Sequence, residues 1–577
     1  MAYKHGVYTA EVASAITPMA SVDAGLPVVV GCAPAFGSTT VTQDLAPKLA
    51  LTYEEAVDAM GGFVSADSNG EFEFSLCEFV KSYFVNYGLG QAVLINIFDK
   101  NKHIEETLLA AEEAQVNASL EATLTHAGIV ESVQLKTAGT PPTYSPVTKF
   151  TVTYSATMIP TITCDVASGV AEDDYISVVL RSVTKLELVP VTGQDYGECK
   201  VANKCGMHDV YIVSGASSVP AQKDEYEIVS SVQENGHSVA IRSAGSTSTS
   251  AVFWAVVGDY DLSKITVDDI TNGIAKISEV YPRFRLVPGM LLVPHYSGLA
   301  SIAAAMDSAV KKINGNYQAI ALIDIPSTEF SVGAQSTANT ESGGEVVYHH
   351  GTTYREAIEA KRNQGFNSTF EIACWPAATL NGERYNMSCV LAGTINQTDA
   401  AFSSIPYHTP SNMGAYVSSI VLADGSEIWL DQMKANELNG EGIITVLNTA
   451  NGFVFWGNRT ACYPGNLDVK DNFIPNRRMF NWVANTLIIN FFSRVDQPLT
   501  QNNVQSVAAS ADMWIKNLTA VNALISGQVE YRSGENNVQA LMDGIVKYHV
   551  TMTPPSPMRE IDFTLEYDTN AYESALG

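Results

Sequence analysis

The chain has 577 residues, of which 46% are hydrophobic and 16% are charged, a composition typical of folded protein that argues against disorder on a large scale. Its length exceeds what one hydrophobic core normally serves, so we expect roughly three or four domains. The formal net charge of -28 argues against nucleic acid and anionic membranes as partners, because phosphate surfaces attract basic patches.

The sequence predicts no membrane insertion and no secretory signal. Its longest apolar run, residues 26–37, is broken by prolines and glycines, and no basic segment followed by an apolar one opens the chain. We therefore expect a soluble protein made in the cytoplasm. Cys199 and Cys205 lie near His208 and could form half of a metal site, but paired-ligand spacing is missing. We interpret these cysteines as buried thiols.

The first hundred residues have an α/β pattern. An alternating strand at residues 6–12 is followed by a buried strand at 26–34, and helical spacing of apolar residues predicts helices at 53–61 and 74–88. A second buried strand follows at 92–99.

Residues 103–257 have a different texture. A polar Ala/Glu helix is predicted at 103–115, and short alternating runs separated by Gly, Asp, Ser and Pro follow it. This pattern predicts an all-β module, exposed at the surface and inserted into the α/β part.

The α/β pattern resumes at residue 258. Residues 286–325 predict a strand–helix–strand crossover, and therefore parallel neighbours in one sheet. A helix at 354–363 and a strand at 370–376 come next, whereas 379–416 has little periodicity and is interpreted as loops.

Two amphipathic helices are predicted near the C-terminus, at 477–494 and 501–526. The apolar stripe of the first helix consists of Phe480, Val483, Ala484, Leu487, Ile488 and Phe491. Residues 477–532 hold five basic and three acidic side chains, an excess of +2 in an acidic chain. This excess indicates either a solvated helix face or a surface for an acidic partner, whose candidate residues are Arg477, Arg478, Arg494 and Lys516.

The last predicted strand has no evident partner. A strand at 545–553 is followed by the stiff segment Pro554–Pro557 and by an alternating strand whose apolar face is Ile561, Phe563, Leu565 and Tyr567. Together with the N-terminal strand (Val7, Tyr8, Thr9, Ala10, Glu11 and Val12), it could add to the sheet of another chain. The alternative, in which both strands join the sheets of their own subunit, stays open.

The sequence carries no recognisable catalytic signature. The sequence has no GxSxG, HExxH, P-loop or EF-hand pattern. His349 and His350 lie beside a Gly/Ser-rich loop without a recognisable nucleophile or carboxylate partner, so we interpret them as part of a surface loop. We expect no enzyme activity, no cofactor and no metal.

Several blocks carry a resemblance to a known family. They are GVYTAEV with LPVVVGCAP, ALIDIPS, CWPA, GIITVLN with FVFWGNRT, and the closing stretch from RRMFNWVANTLIINFF to REIDFTLEYD. Together they resemble the sheath protein of contractile phage tails and related injection machines, over roughly residues 1–100 and 258–577. The region 103–257 looks like the variable decoration of such proteins.

The resemblance implies a subunit that stacks in hexameric rings around a tail tube and contracts to drive the tube through a target envelope. Its partners would be other copies of itself, the tube, the baseplate and the tail terminator, in a virion tail assembled in the bacterial cytoplasm. The terminal strands would join neighbours, and the four cations above would face the tube. A phage-derived bacteriocin or injection device is an equally compatible setting.

The expected fold is therefore an α/β (α+β) core built from N- and C-terminal parts, with an inserted all-β domain and extended terminal arms. The expected division is an N-terminal arm (1–25), a first core part (26–102), the β-rich insertion (103–257), a second core part (258–440), a tube-facing C-terminal domain (441–553) and a C-terminal arm (554–577).

Two other classes remain open. An extracellular or lumenal enzyme with a β accessory domain would need a convergent polar pocket. A tube, capsid or surface-array subunit would also assemble through terminal strands, although it would not be expected to carry the sheath-like blocks.

Overall fold

The computed structural model describes residues 22–34, 45–99, 102–105, 107–202, 206–233, 236–340, 346–568 and 570–576. The predicted N-terminal strand, Val7 to Val12, lies outside these residues.

The core is built on one eight-stranded sheet with the order β2-β3-β1-β4-β5-β6-β7-β8. Neighbours from β3 through β7 are parallel, and the edge strands β2 and β8 are antiparallel to theirs. Near-complete burial of the central strands explains their continuous apolar runs. The strands are β1 Pro27–Gly31, β2 Lys48–Ala50, β3 Ala92–Asn96, β4 Met290–Leu292, β5 Ile320–Asp324, β6 Glu371–Cys374, β7 Ile443–Thr449 and β8 Gly452–Trp456.

The sheet joins two distant parts of the chain. β1 pairs with β3 on one side and with β4 on the other, in the register Pro27↔Met290. The predicted strand–helix–strand crossover is confirmed, because β4 and β5 are parallel neighbours connected through the helix Ala300–Lys311.

Helices of the core follow local signals. Thr353 and Glu356 form a capping box at the start of Tyr354–Gln364, and Gly365 ends that helix with φ 75°. The core helices are Tyr53–Met60, Ser75–Val80 with its π-helical continuation Lys81–Asn86, Val267–Ala275, Val280–Phe284, Ala300–Lys311, Tyr354–Gln364, Met387–Ala401 and Gln432–Asn439.

The interpretation of 379–416 as loops is wrong for the helix Met387–Ala401. Eleven of its fifteen residues are buried, on nearly every side of the helix. Such a helix has no polar stripe, so its sequence lacks the amphipathic period from which helices are predicted.

A prediction arises from this helix. Gly393 faces the ring of Tyr87, and an added Cβ would lie 2.5 Å from it. We expect Gly393→Ala to lower the free energy of unfolding by roughly 1–3 kcal/mol through overpacking. The control is Gly414→Ala, whose Cβ would meet nothing within 4 Å. Equal urea midpoints for the two variants would contradict the prediction.

Between Ile104 and Tyr260 the described residues form strands and one short 3-10 helix, Val166–Ser168. The pairing groups them in an eight-stranded sheet and two four-stranded sheets, separate from the central sheet. The strands are Ile104–Glu105, Glu112–Gln115, Glu121–Thr123, Ile129–Thr137, Thr143–Pro146, Phe150–Ser155, Pro160–Cys164, Tyr175–Arg181, Thr184–Glu187, Val189–Pro190, Gly197–Ala202, Gly206–Ser214, Ser217–Pro220, Tyr226–Gln233, Gly236–Ser243 and Val252–Tyr260.

The helix predicted at 103–115 is wrong. Glu112–Gln115 is a strand that pairs with Tyr175–Arg181, and Ala114 is buried between exposed neighbours. Cross-strand packing has overridden the helix propensity of the Ala/Glu sequence.

Smaller sheets complete the core region. They are Ser331–Val332 with Gln335–Ser336, Ala338–Thr340 with Val346–Tyr348, and the set Ala377–Leu380, Glu383–Tyr385 and Ser419–Val421.

A C-terminal layer, defined here as residues 474–553, has its own hydrophobic cluster. The helices Ile474–Phe491 and Gln501–Ala520 and the antiparallel strands Ser526–Glu530 and His549–Thr553 supply it. The short helix Val469–Asn472 precedes the layer, Val538–Met542 lies within it, and Asn570–Leu576 follows it.

The predicted apolar stripe of the first of these helices packs against hydrophobic clusters through Val483, Leu487, Ile488 and Phe491, but it is only partly buried. Val483 is buried as expected, but Phe480 and Leu487 are half-buried, and the buried face includes Asn481 and Asn485. The amides of Asn481 and Asn485 donate to the carbonyl oxygens of residues 319 and 318. A helix that packs over the end of a strand needs polar side chains at the contact. Without them the backbone carbonyl groups at the end of the strand would be buried without hydrogen-bond partners.

A pH dependence follows from two carboxyl groups, those of the buried Glu371 and the half-buried Asp324. Burial raises the pKa of Glu371 to about 7 and that of Asp324 to about 6. Because the folded state holds these protons more tightly than the unfolded state does, the stability they contribute is lost as pH rises through 6 and 7. We expect the free energy of unfolding to fall between pH 5 and 8, with Glu371 contributing on the order of 2 kcal/mol.

Urea unfolding at several pH values measures this slope. Glu371→Gln should flatten it, whereas the control Glu359→Gln, at an exposed position of the Tyr354–Gln364 helix, should not. A stability that rises with pH over this range would contradict the prediction.

Candidate inter-subunit interface

The C-terminal arm, residues 554–568, carries neither helix nor strand. The four residues of its predicted apolar face are 64% to 94% exposed: Ile561, Phe563, Leu565 and Tyr567. No strand among the described residues pairs with the arm. An alternating apolar segment left in solvent has the properties of a strand that becomes ordered on a partner.

The strand before the arm belongs to a two-stranded sheet. His549–Thr553 pairs with Ser526–Glu530, in the register Val529↔Val550. Val529 is buried, and Val550 and Met552 pack against the cluster of the C-terminal layer. The sheet therefore lies with one face on the helix Gln501–Ala520 and the other toward solvent.

The two edges of this sheet differ. The backbone N–H of Val529 donates to Asp512 Oδ1 at 3.0 Å, so a side chain occupies the edge of the Ser526–Glu530 strand. Because this N–H points away from its partner strand, Val529 and Val550 form a non-hydrogen-bonded pair, and the backbone groups of Val550 point to the opposite edge. Among the described strands, none pairs there. The His549–Thr553 edge is therefore open to an added strand.

Pro554 separates this edge from the arm. It is buried directly after the strand, while Ser556 is exposed. Since proline lacks the N–H that a ladder requires, the strand ends here and the arm does not fold back as a tight hairpin.

The expectation that Arg477 and Arg478 present charge to a partner disagrees with the structure. Arg478 is 3% exposed, and its guanidinium binds both oxygens of Asp399, at 2.9 and 2.5 Å. The Arg477 side chain is 11% exposed and pairs with Asp471 at 3.0 Å. Both charges are neutralised inside the subunit, which a count of basic residues cannot reveal.

The other two cations of the predicted tube-facing set lie nearer the surface. Arg494 is half-buried in the 3-10 turn Phe492–Arg494. The Lys516 side chain is 64% exposed and pairs with Asp512 one helical turn away, at 2.6 Å. Their role toward a tube stays a prediction.

The contact between the core and the C-terminal layer includes hydrogen bonds that the sequence did not predict. The Trp482 indole N–H donates to the carbonyl oxygen of Val22 at 2.8 Å, and Arg478 Nη2 donates to that of Ala24. With Asn481 and Asn485, these bonds tie one helix to the first described residues and to the start of β5. The signal was the recurrence of Asn on a helix that otherwise looks amphipathic.

Exposed large apolar side chains concentrate near the C-terminal end. Twenty of them lie between Trp429 and Leu576, compared with nine among the described residues before Trp429. This part of the chain therefore leaves more large apolar side chains in solvent than the rest of the described chain does.

Chemistry is sparse by comparison. No group of three or more His, Cys, Asp or Glu in the described ranges has the arrangement of a metal site. His349 and His350 are half-buried, as is Cys199, while Cys205 lies outside the described residues. Within the same ranges, every helix is too short or too polar to span a membrane.

An exposed apolar arm beside an open strand edge is typical of a structural subunit that assembles by sharing strands. No family model matches the chain. A putative prophage major tail sheath protein of Pseudomonas aeruginosa strain UCBPP-PA14 is 24% identical over 304 residues, which are 51% of this chain and 69% of that relative. The major tail sheath protein of Serratia phage KSP20 is 27% identical over 144 residues, 25% of this chain and 35% of that protein.

Among solved structures, the contracted sheath complex of an extracellular contractile injection system covers 99% of both chains at 13% identity, with a TM-score of 0.48. The curated relatives, both described as major tail sheath proteins, confirm the resemblance to contractile tail sheath proteins that the sequence blocks carry.

Proposed function

We propose that the protein is the subunit of a tail sheath that polymerises as stacked hexameric rings around a tail tube and contracts to drive the tube through the envelope of a target cell. The observation that carries the proposal is the coexistence, at one end of the chain, of an exposed apolar arm and an open strand edge. Its assembly partners are further copies, the tube, the baseplate and the terminator, without nucleic acid or membrane insertion.

In this proposal the C-terminal arm of one subunit adds to the His549–Thr553 edge of another. Each added strand satisfies backbone groups that otherwise face water and buries the apolar side chains of Ile561, Phe563 and Leu565. A contact between two different surfaces does not close on itself, so it propagates as a helical polymer. The N-terminal strand, Val7 to Val12, is proposed to join the same mesh.

Contraction is proposed to draw on a free-energy difference between two lattices. If the contracted lattice buries more surface and each subunit gains a few kcal/mol, a hundred or more subunits release hundreds of kcal/mol. No nucleotide is needed.

The β-rich region Ile104 to Tyr260 is proposed to be an inserted domain on the outside of the particle, because its strands pair separately from the central sheet.

The location proposed is the contractile tail of a virion assembled in a bacterial cytoplasm, or the equivalent part of a phage-derived bacteriocin or injection device. Negative-stain electron microscopy of the purified chain tests the proposal. Wide hollow cylinders with helical ridges support it, and a chain that stays monomeric at high concentration overturns it.

A further inference from the structure

A cavity of about 670 Å³ lies at the carboxyl ends of β4, β5 and β6. In open parallel sheets this edge is where ligands bind, and the volume lies within the range of small-molecule sites. All of its lining residues come from the core, between Asp67 and Ala423. The cavity therefore has no part in the interface described above.

Two carboxylates from different elements line the cavity. Glu78, which is 2% exposed, accepts hydrogen bonds from His295 Nε2 at 2.6 Å and from the side-chain amide of Asn386 at 3.1 Å. Asp324, at the end of β5, accepts from the backbone N–H of Ser388 at 2.8 Å and from its hydroxyl. Both carboxylates thus hold the start of the Met387–Ala401 helix, where negative charge is favourable.

The cavity lining carries more negative charge than is needed to hold the start of the Met387–Ala401 helix. Five carboxylates line the cavity against one guanidinium and one imidazole, which is an excess of four negative charges when the imidazole is neutral. The guanidinium, Arg384, is already bound to Glu71 at 2.6 Å. The lining carboxylates are Asp67, Glu71, Glu73, Glu78 and Asp324.

The remaining walls are apolar and suit a hydrocarbon stem. They include the side chains of Phe72, Ile325, Pro326, Phe330, Tyr385 and Met387. A metal ion fits poorly here, because the described residues hold no cluster of three or more ligating groups. A carboxylate offers about four acceptor positions, so Glu78 and Asp324 can each accept a further hydrogen bond.

We propose that the cavity binds a small organic cation, in which a primary ammonium group donates to Glu78 and Asp324 and a short apolar stem lies against Phe72 and Phe330. Binding of this kind needs no contact with a second subunit, so it is independent of the proposed assembly.

Protonation competes with such a ligand. Burial, together with the nearby charge of Glu78, raises the pKa of Asp324 to about 6. Below pH 6 the protonated carboxyl loses its charge, so the affinity for an ammonium group should fall. The titratable and charged groups around Asp324 are Glu78, His295, Cys374, Cys389 and Arg384.

Isothermal titration calorimetry of the full chain with 1,5-diaminopentane tests the proposal, with 1,5-pentanediol as the uncharged probe. We expect one saturable site per chain for the diamine at pH 8, weaker binding at pH 5, and no binding of the diol. Glu78→Gln and Asp324→Asn should each weaken binding at least about tenfold, the loss expected for a charge-assisted hydrogen bond.

Two further variants keep the test decisive if Glu78→Gln or Asp324→Asn fails to fold. Thr328→Trp places a bulky ring at an exposed lining position and should block binding without removing a charge. Glu359→Gln, an exposed position outside the lining, should bind like the wild type. Absence of saturable diamine binding, or unchanged affinity in folded Thr328→Trp, overturns the proposal.

Discussion

Deleting residues 559–577 is expected to abolish polymerisation and to leave a folded monomer. The removed segment contributes exposed apolar side chains and no strand pairing within the described subunit. Its loss therefore removes little internal packing, whereas each lattice contact would lose a whole strand. Sedimentation velocity and electron microscopy measure assembly, and circular dichroism with thermal melting measures the fold.

A matched pair of double variants tests whether assembly depends on the apolar face of the arm and not only on the presence of the arm. Phe563→Asp with Leu565→Asp places charge on the apolar face and should prevent assembly. Asp562→Asn with Glu566→Gln changes the alternate positions of the same arm and should preserve it. Normal cylinders from the truncated chain would refute the role of the arm.

The largest stability effect is expected at Arg478. Arg478→Ala leaves Asp399 buried without its cation, and breaking a buried ion pair by removing one partner costs about 3–5 kcal/mol. Burial raises the pKa of Asp399, an effect that Arg478 opposes. Without the guanidinium the carboxyl should take up a proton more readily, so the destabilisation should be smaller at pH 5 than at pH 8.

Urea unfolding of the single and double variants provides the measurement. Arg478→Leu with Asp399→Leu replaces both charges by apolar groups and should be more stable than Arg478→Ala alone. Lys516→Ala, which removes an exposed cation of the same layer, should change stability by less than about 1 kcal/mol. A cost below that level for Arg478→Ala would show that the pair contributes little.

The parts of the fold that the sequence predicts are those with a simple period. Strands β1, β3, β4 and β5 are continuous apolar runs, and the Tyr354–Gln364 helix has a capping box and a terminal glycine, so their types are readable locally. Met387–Ala401 was missed because burial on almost every side erases the period. Glu112–Gln115 was mistaken for a helix because its pairing with a distant strand outweighs Ala/Glu propensity.

The candidate interface divides in the same way. The alternation of Ile561, Phe563, Leu565 and Tyr567 and the proline segment before them are local features, so the sequence alone predicted an arm. The open edge at His549–Thr553 depends on Asp512, on another element, occupying the opposite edge. Such a contact between distant residues has no local signature.

The sequence by itself predicted the resemblance to contractile tail sheath proteins, the parallel α/β crossover and the terminal arm, because motifs and hydrophobic periods are properties of neighbouring residues. Only the tertiary structure decided which cations are available to a partner. It places Arg478 against Asp399, a residue 79 positions away. The Arg478 charge, which the sequence suggested was available at the surface, is therefore buried in an ion pair within the subunit. The cavity lined by Glu78 and Asp324 was likewise decided by folding, since the parallel sheet brings the ends of separate strands to one edge.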